Sequence, residues 1–200
     1  MSNYSIYRIA ETIRVLLFIT LSIIAFQFYP VTALMIVLLA LLNDAPIMTI
    51  AYDNVKYSNE PEKWNIMAIL GIATMLGIVG LISSFGILYI GQEIFSLNRE
   101  VLQSFVYLKL SVAGHLTVFV ARTKNHFWSV MPAKPFFLAV VATQLIATLI
   151  TVYGVLLPAM GLGGAALFVW VYALVAFLIT DFIKVHFYQL LDHSGMKSHR

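Results

Sequence analysis

The sequence has no cysteine and few charged residues, and each shortage excludes a class of structure. Without cysteine the chain can form no disulfide, no thiolate metal site and no cysteine nucleophile. Charged residues make up only 10% of the 200 residues, while 61% are hydrophobic and the mean hydropathy is +0.92. So few polar side chains cannot cover the surface of a soluble globule. The composition therefore predicts a polytopic membrane protein whose immediate partner is the lipid bilayer.

Motifs for nucleotide binding and for hydrolysis are also absent. The chain contains no P-loop, no Ser-His-Asp nucleophile elbow, no HExxH pair and no glycine-rich phosphate cradle. The loops between its apolar runs are too short to house such a site, so we expect no catalytic residue, cofactor or metal ion in this chain. The net charge of +3 does not indicate a nucleic-acid partner, because the basic residues lie between apolar runs and form no stripe.

Six apolar runs have the length needed to cross a bilayer. We predict an all-α helical bundle in a single transmembrane domain, residues 1–200, with spans at about 4–28, 31–51, 64–90, 101–121, 135–157 and 165–184. The first run does not indicate a signal peptide, because Glu11 and Arg14 lie within it and no small-residue cleavage site follows.

Lysine and arginine are distributed unevenly between the two ends of this bundle. Six spans put both termini on one side, and that side carries nine basic residues, whereas the opposite loops carry only Arg99. The nine are Arg8, Lys56, Lys63, Arg122, Lys124, Lys134, Lys184, Lys197 and Arg200. Basic loop residues concentrate on the cytoplasmic face of membrane proteins. We therefore expect both termini to be cytoplasmic and the chain to lie in the cell membrane.

The stretch 30–51 places a single carboxylate, Asp44, in the middle of an apolar span. An ionised acid at that depth costs on the order of 2.5–3.5 kcal/mol on insertion scales, so it is protonated, paired or facing a polar cavity. Pro46 lacks the N–H that would bond the Leu42 carbonyl, and we expect the second span to break near Asp44–Pro46. Asn43 is either a hydrogen-bond partner of the acid or an amide that packs between helices. The structural alternative for Asp44 itself is a hydrogen bond to a hydroxyl such as that of Thr49.

Arg14 is the candidate partner of Asp44. Tyr29-Pro30 predicts a tight reversal that sets the second span antiparallel against the first. Arg14 lies 16 positions before the turn and Asp44 lies 14 after it, which puts both at similar depth at about 1.5 Å per residue. A salt bridge or charge gate between them is therefore possible. Alternatively, Arg14 extends toward the interface or pairs on the surface with Glu11, one helical turn earlier.

The other polar residues of the spans have simpler interpretations. Small residues in the third span, namely Ala73, Gly77, Gly80 and Ser84, form a stripe that lets another helix approach closely. Lys109 is expected to extend toward the interface, and His115 to pack without titrating; six positions apart, they do not predict a joint site. Asp181 is interpreted as a charge at the end of a helix. His186, His193 and His199 lack ligand spacing and are expected to be solvated, as is the loop 52–63.

A lone buried carboxylate beside a cation suits the transport of one proton. Desolvation holds the proton on the acid, and an approaching guanidinium expels it. The same site suits Ca²⁺ poorly, because that ion takes six to eight oxygen ligands.

Two stretches resemble a known family. NYSIYRIAETIRVLLF (3–18) and LALLNDAPIMTIAYDNVKYSNEPEKW (39–64) look like the fifth and sixth spans of plasma-membrane-type proton-exporting P-type ATPases. The similarity continues through VYLKLSVAGHLTVFVART (106–123) and QLIATLITVYG (144–154) and so covers nearly the whole chain as spans five to ten. The N-D-x-x-I-M-T-I run followed by D-x-V is specific to that class.

The resemblance implies roles for two residues and a larger assembly. By it, Asp44 corresponds to the aspartate that accepts and releases the transported proton, and Arg14 to the arginine that blocks its return. It also implies that the partners of this chain are the first four spans and the actuator, phosphorylation and nucleotide-binding domains, with ATP and Mg²⁺ acting there. The chain is then a fragment of a longer polypeptide or one product of a split gene. Lys109 and His115 depart from the neutral polar residues of plant members.

The main functional hypothesis is thus the membrane part of an ATP-driven proton export pump, without ATP hydrolysis by this chain alone. A passive or gradient-driven proton or cation transporter that uses Asp44 and Arg14 is a second hypothesis. The third is a structural remnant of a pump with no function of its own.

Overall fold

The computed structural model describes residues 2–49, 53, 66–161 and 164–193, and it is built from α-helices. They are α1 (Ser2–Phe26), α2 (Ala33–Thr49), α3 (Ile66–Tyr89), α4 (Arg99–Ala121), α5 (Lys134–Tyr153) and α6 (Ala165–His193). One π-helical turn, Ile90–Ile94, follows α3 directly. Five helices are long and apolar enough to cross a membrane, and α2 is a shorter apolar helix of 17 residues. The predicted all-α polytopic bundle of six helices is confirmed.

The central helix is α4, which contacts the five other helices. Most of its side chains are buried, including the polar ones of Ser104, Lys109, Ser111 and His115. Because neighbouring helices surround α4, these groups find protein partners and not lipid tails, which offer no hydrogen bonds. The outer helices instead expose large apolar side chains, as expected of surfaces that face a bilayer. The bundle therefore has a polar centre inside an apolar shell.

The stripe of small residues on α3 receives α1, as predicted. A methyl group on Gly77 would lie 2.8 Å from Ile13 Cγ2 and 3.2 Å from the Ala10 carbonyl oxygen. A methyl group on Gly80 would lie 2.7 Å from Arg14 Cδ. Close helix approach in membranes depends on such positions, because van der Waals packing takes the place of hydrophobic association. The stripe thus fixes where Arg14 enters the bundle.

We expect Gly77→Ala to destabilise the bundle by about 1–3 kcal/mol, the usual cost of overpacking, because the β-branched Ile13 and the α1 backbone cannot move aside cheaply. The matched control is Gly71→Ala on the same helix, where the nearest atom to the new methyl group is 3.9 Å away. That change should be neutral or stabilising, since alanine is the better helix former. Denaturant unfolding of the purified chain in detergent measures both. Equal stability of the two variants would contradict the packing role of Gly77.

The predicted packing of the second span along the first is wrong. The main neighbours of α2 are α4 and α5, while α1 packs on α3 and α4. Residues 27–32 separate the two helices, and Gln27 at their start adopts a left-handed φ of 49°. This connection is longer than the tight reversal expected from Tyr29-Pro30, so the helices diverge and α4 can insert beside both.

Asp53, expected in a solvated loop, is instead a buried partner of Arg122. Its Oδ1 accepts hydrogen bonds from Arg122 Nη2 at 2.9 Å and from the Ala133 N–H at 3.0 Å. Arg122 also donates to the Val130 carbonyl at 3.3 Å, and its own carbonyl accepts from Asn3 Nδ2 at 2.7 Å. The pair therefore joins the chain after α2 to the end of α4 and the start of α5.

Asp181 forms a second buried ion-pair cluster on the same side. It lies inside α6, which continues to His193, so its interpretation as an end-of-helix charge is wrong. Its carboxylate accepts from Lys184 Nζ at 2.8 Å, interacts with His126 Nδ1 at 2.8 Å and accepts from the Phe127 N–H at 3.1 Å. Lys184 Nζ also donates to the Val120 carbonyl at 3.0 Å. These bonds fix the loop after α4 against α6.

Candidate functional site

Asp44 is ion-paired, but its partner is Arg8 and not Arg14. Arg8 Nη2 donates to Asp44 Oδ1 at 2.6 Å, and the two side chains are 39% and 41% exposed at the edge of the chain. An acid within an apolar helix needs such a partner. The hydroxyl of Thr49 does not serve, because it donates to the Pro46 carbonyl at 2.7 Å. Asp44 is therefore a paired acid that is accessible from outside the bundle.

Arg14 is buried deep in the bundle, with only 2% of the residue exposed. Its Nη2 forms a very short ion pair with Glu11 Oε2 and also approaches the Leu110 carbonyl at 3.4 Å. Its Nη1 donates to Thr117 Oγ1 at 3.3 Å. The alternative pairing with Glu11 is therefore found, although inside the bundle and not on its surface. In the described residues, the hydrogen bonds and ion pairs of Arg14 do not include Asp44.

The absence of a side chain at Gly114 on α4 lets three polar groups converge. A methyl group there would lie 3.0 Å from Asn43 Nδ2, 3.2 Å from Glu11 Oε1 and 3.4 Å from Arg14 Nη2. Asn43 is 5% exposed and faces α4, so of its two predicted roles it has that of an amide between packed helices. Asn43, which directly precedes Asp44 in the sequence, thus lies close to the Glu11–Arg14 pair.

Several polar atoms around this junction are buried without a hydrogen-bond partner among the described residues. They are Tyr7 OH, Glu11 Oε1, Arg14 Nε and Asn43 Oδ1. A buried polar atom without a partner costs about 1–3 kcal/mol, so a group of them in one place favours the entry of water. The four atoms are therefore candidate partners for bound water.

Pro46 affects the site through a carbonyl group. The helix α2 is continuous from Ala33 to Thr49, so the predicted break near Asp44–Pro46 is wrong, and Pro46 removes only one helical hydrogen bond. The Leu42 carbonyl, which Pro46 leaves without its helical partner, interacts with the ring of His115 on α4. His115 also bonds the Ser111 carbonyl at 3.0 Å and Thr143 Oγ1 at 2.8 Å. The prediction that His115 packs inside the bundle agrees with this enclosure.

Lys109 is fully buried, and the prediction that it extends toward the interface is wrong. Its Nζ donates to Ser84 Oγ at 2.7 Å and approaches the Gly80 carbonyl at 3.4 Å. The sequence of α4 could not reveal this, because both partners lie on α3. Lys109 and Arg14 consequently approach the same part of the small-residue stripe from α4 and α1. Within the described ranges, no group of three or more His, Asp or Glu side chains is placed to hold a metal ion.

Known proteins similar to this chain include proteins named as cation-transporting, proton and plasma membrane ATPases. A Methanocaldococcus jannaschii protein named as a cation-transporting ATPase is 47% identical over 186 residues, which are 92% of this chain and 23% of that protein. The chain is homologous to P-type cation-transporting ATPases. This P-type ATPase homologue is also 30% identical over 227 aligned residues to a Leishmania donovani protein named as a proton ATPase, with 92% of the chain and 23% of that protein covered.

A third relative is plasma membrane ATPase 2 of Saccharomyces cerevisiae, 34% identical over 160 residues that cover 77% of the chain and 16% of that protein. No family model matches the chain. The P-type ATPase homologue therefore spans about a quarter or less of the length of these relatives. The family resemblance predicted from residues 3–18, 39–64, 106–123 and 144–154 is confirmed.

Proposed function

We propose that this chain forms part of the membrane domain of an ATP-driven proton export pump in the cell membrane, with both termini cytoplasmic. Asp44 takes up and releases the proton, and Arg14 prevents its return. ATP and Mg²⁺ act on actuator, phosphorylation and nucleotide-binding domains outside this chain, present in the same polypeptide or in a partner. The names of the Leishmania and yeast relatives, both ATPases, support an ATP-driven pump. The name of the Leishmania protein also supports the proton as the transported ion.

The observation that carries the proposal is the separation of the two arginines. Arg8 holds Asp44 at the accessible edge, while Arg14 is held by Glu11 inside the bundle. Because the Arg8–Asp44 pair is partly exposed, water can deliver a proton to Asp44 in exchange for the ion pair with Arg8, while Arg14 stays on Glu11. When Arg14 approaches Asp44, its positive charge favours the ionised acid and expels the proton. Phosphorylation in the domains outside this chain can drive this exchange if it favours one of the two arrangements over the other.

ATP-driven acidification of vesicles by the complete pump tests the proposal. The complete pump is here this chain together with the domains that carry phosphorylation and nucleotide binding. Acidification that needs no Na⁺ in the medium supports a proton pump. A requirement for Na⁺, with Na⁺ accumulation and no acidification, would overturn the choice of ion.

Arg14→Ala is expected to impair one-way transport more than ATP hydrolysis, because the proton on Asp44 can then return. The ratio of protons moved to ATP hydrolysed should fall several-fold, and a preformed proton gradient should decay faster once ATP is exhausted. Arg99→Ala provides the control, since Arg99 lies at the opposite end of the bundle, where its guanidinium rests over Phe28 at 5.1 Å. A wild-type coupling ratio in Arg14→Ala would argue that Arg14 only stabilises the fold.

A further inference from the structure

Glu11 is a buried carboxylate to which the proposed transport mechanism assigns no role. Only 8% of the residue is exposed, although it lies on α1, the first helix of the bundle. One carboxylate oxygen, Oε2, pairs with Arg14, while Oε1 is buried and has no hydrogen-bond partner among the described residues. Burial of a carboxylate with one oxygen unpartnered is unfavourable, so a purely structural role would be a costly one.

The charged and titratable groups around Glu11 come from several helices. On α1 they are Arg14, in direct contact, and the hydroxyl of Tyr7, which lies within electrostatic reach of both the Glu11–Arg14 and the Arg8–Asp44 pairs. Lys109 on α4 lies within electrostatic reach of both Glu11 and Arg14, and His115 lies within electrostatic reach of Arg14. Asn43 contributes a neutral amide from α2. Among these described groups, Arg14 is the only cation that forms an ion pair with Glu11.

The movement of Arg14 therefore has a consequence for Glu11. If Arg14 leaves to neutralise Asp44, Glu11 remains as a buried acid without its guanidinium. An uncompensated ion in such a place costs several kcal/mol, and a carboxyl group avoids that cost by binding a proton. The movement of one guanidinium from Glu11 to Asp44 thus removes the proton from Asp44 and favours the binding of a proton by Glu11.

We propose that Glu11 is a second proton-carrying carboxylate of the transport site, and that Arg14 alternates between Glu11 and Asp44. The proposal rests on the proposed function. In the state seen here the guanidinium of Arg14 is paired with the carboxylate of Glu11. When Arg14 moves, its N–H···O bonds to Glu11 break and N–H···O bonds to Asp44 form. The O–H bond of Asp44 breaks and its proton passes to water, while a hydronium ion gives a proton to Glu11 and forms an O–H bond there. The return of Arg14 reverses each step.

Unpartnered polar atoms supply a route for that proton. The Tyr7 hydroxyl, Asn43 Oδ1 and Arg14 Nε are buried without partners in the described part of the chain. Asn43 and Arg14 lie with Glu11 around Gly114, and Tyr7 lies within electrostatic reach of both ion pairs. Water bound there would bridge the accessible edge at Asp44 to the unpartnered Oε1 of Glu11.

The first test is the pH dependence of transport by the complete pump with Glu11→Gln. Glutamine imitates the protonated acid and cannot hold Arg14 by charge, so Arg14 is released toward Asp44. We expect half-maximal transport to require about tenfold more protons, which is one pH unit on the acid side. Glu11→Asp should restore most of the wild-type profile. The matched control is Glu93→Gln, at an exposed acid in the π-helical turn after α3, which should leave the profile unchanged.

The results separate this proposal from the proposed function. A wild-type pH profile in Glu11→Gln, together with loss of transport in Asp44→Asn, overturns the role of Glu11 and leaves the pump intact. Retained transport in Asp44→Asn overturns both. An acid shift in Glu11→Gln that Glu11→Asp reverses supports the alternation of Arg14.

A second measurement uses the chain alone, so it does not depend on how Glu11→Gln folds in the pump. In Arg14→Ala, Glu11 has lost its guanidinium and should bind a proton at neutral pH. Infrared spectroscopy of the purified chain in liposomes should then show an additional carbonyl band of a protonated carboxylic acid, beyond any band that Asp44 gives in the wild type. The band should vanish in the double variant Glu11→Gln/Arg14→Ala. Absence of the band from Arg14→Ala overturns the proposal.

Discussion

Asp44→Asn is expected to reduce ATP-driven acidification by the complete pump to the level of protein-free vesicles. Asparagine keeps the shape of the side chain and can still accept a hydrogen bond from Arg8. It cannot bind and release a proton in this pH range, so the transported ion loses its carrier. Acidification measured with a pH-sensitive dye in sealed vesicles reports the change directly.

The comparison that makes this result specific is the amount of inserted protein. Glu93→Gln makes the same carboxylate-to-amide change at an exposed position and should transport at the wild-type rate. Both variants should insert equally, because neither breaks a buried pair. Acidification by Asp44→Asn at an appreciable fraction of the wild-type rate would remove Asp44 from the mechanism.

Asp53→Asn is expected to have the largest effect on stability, about 3–5 kcal/mol, the cost of breaking a buried ion pair by removing one partner. The side chains of Arg122 and Asp53 are 0% and 2% exposed, so an unpaired guanidinium cannot reach water. The same carboxylate also accepts the Ala133 N–H at the start of α5, a contact that the loss of charge weakens. Denaturant unfolding of the purified chain in detergent measures the loss.

The double variant Asp53→Leu/Arg122→Met distinguishes an unpaired charge from a general packing defect. Replacing both members of a buried ion pair by apolar residues is often close to neutral, so the double variant should recover most of the lost stability. Glu100→Gln, at an exposed acid in the first turn of α4, should change stability by less than about 0.5 kcal/mol. A double variant as unstable as Asp53→Asn would contradict the ion-pair explanation.

The helices could be predicted from the sequence because run length and polarity determine them locally. The apolar stretch that contains α4 and the small residues of α3 are properties of single segments, and both predictions agree with the structure. The continuation of α6 to His193 was missed because its last turns carry polar residues, including Lys184, that suggest the end of an apolar span. Nothing in the span shows that Lys184 has the carbonyl of Val120 on another helix as its partner.

The pairing of charges could be predicted only in part. Counting residues from the turn predicts the depth of Arg14 and Asp44 in the membrane. It does not predict which neighbouring helix each side chain faces. The insertion of α4 beside both helices decided that Arg14 would meet Glu11 and that Asp44 would meet Arg8. The one available signal was local, since Glu11 and Arg14 are three positions apart and share a helix face. Burial of that pair depends on Gly80 and Gly114, which belong to other helices.

The two buried ion-pair clusters, Asp53–Arg122 and Asp181–Lys184–His126, lie at the same end of the bundle, where α4 ends and α5 begins. At the other end the polar links in the described chain include Gln103 to the Tyr29 carbonyl at 2.8 Å and Ser104 to the Pro158 carbonyl at 2.6 Å. Neutral contacts of that kind separate at far smaller cost than buried ions do. We therefore expect the end that holds the ion pairs to be rigid and the helices to separate more readily at the opposite end. Spectroscopic labels for detecting helix separation accordingly belong beside Phe28 and Leu156, far from the ion pairs.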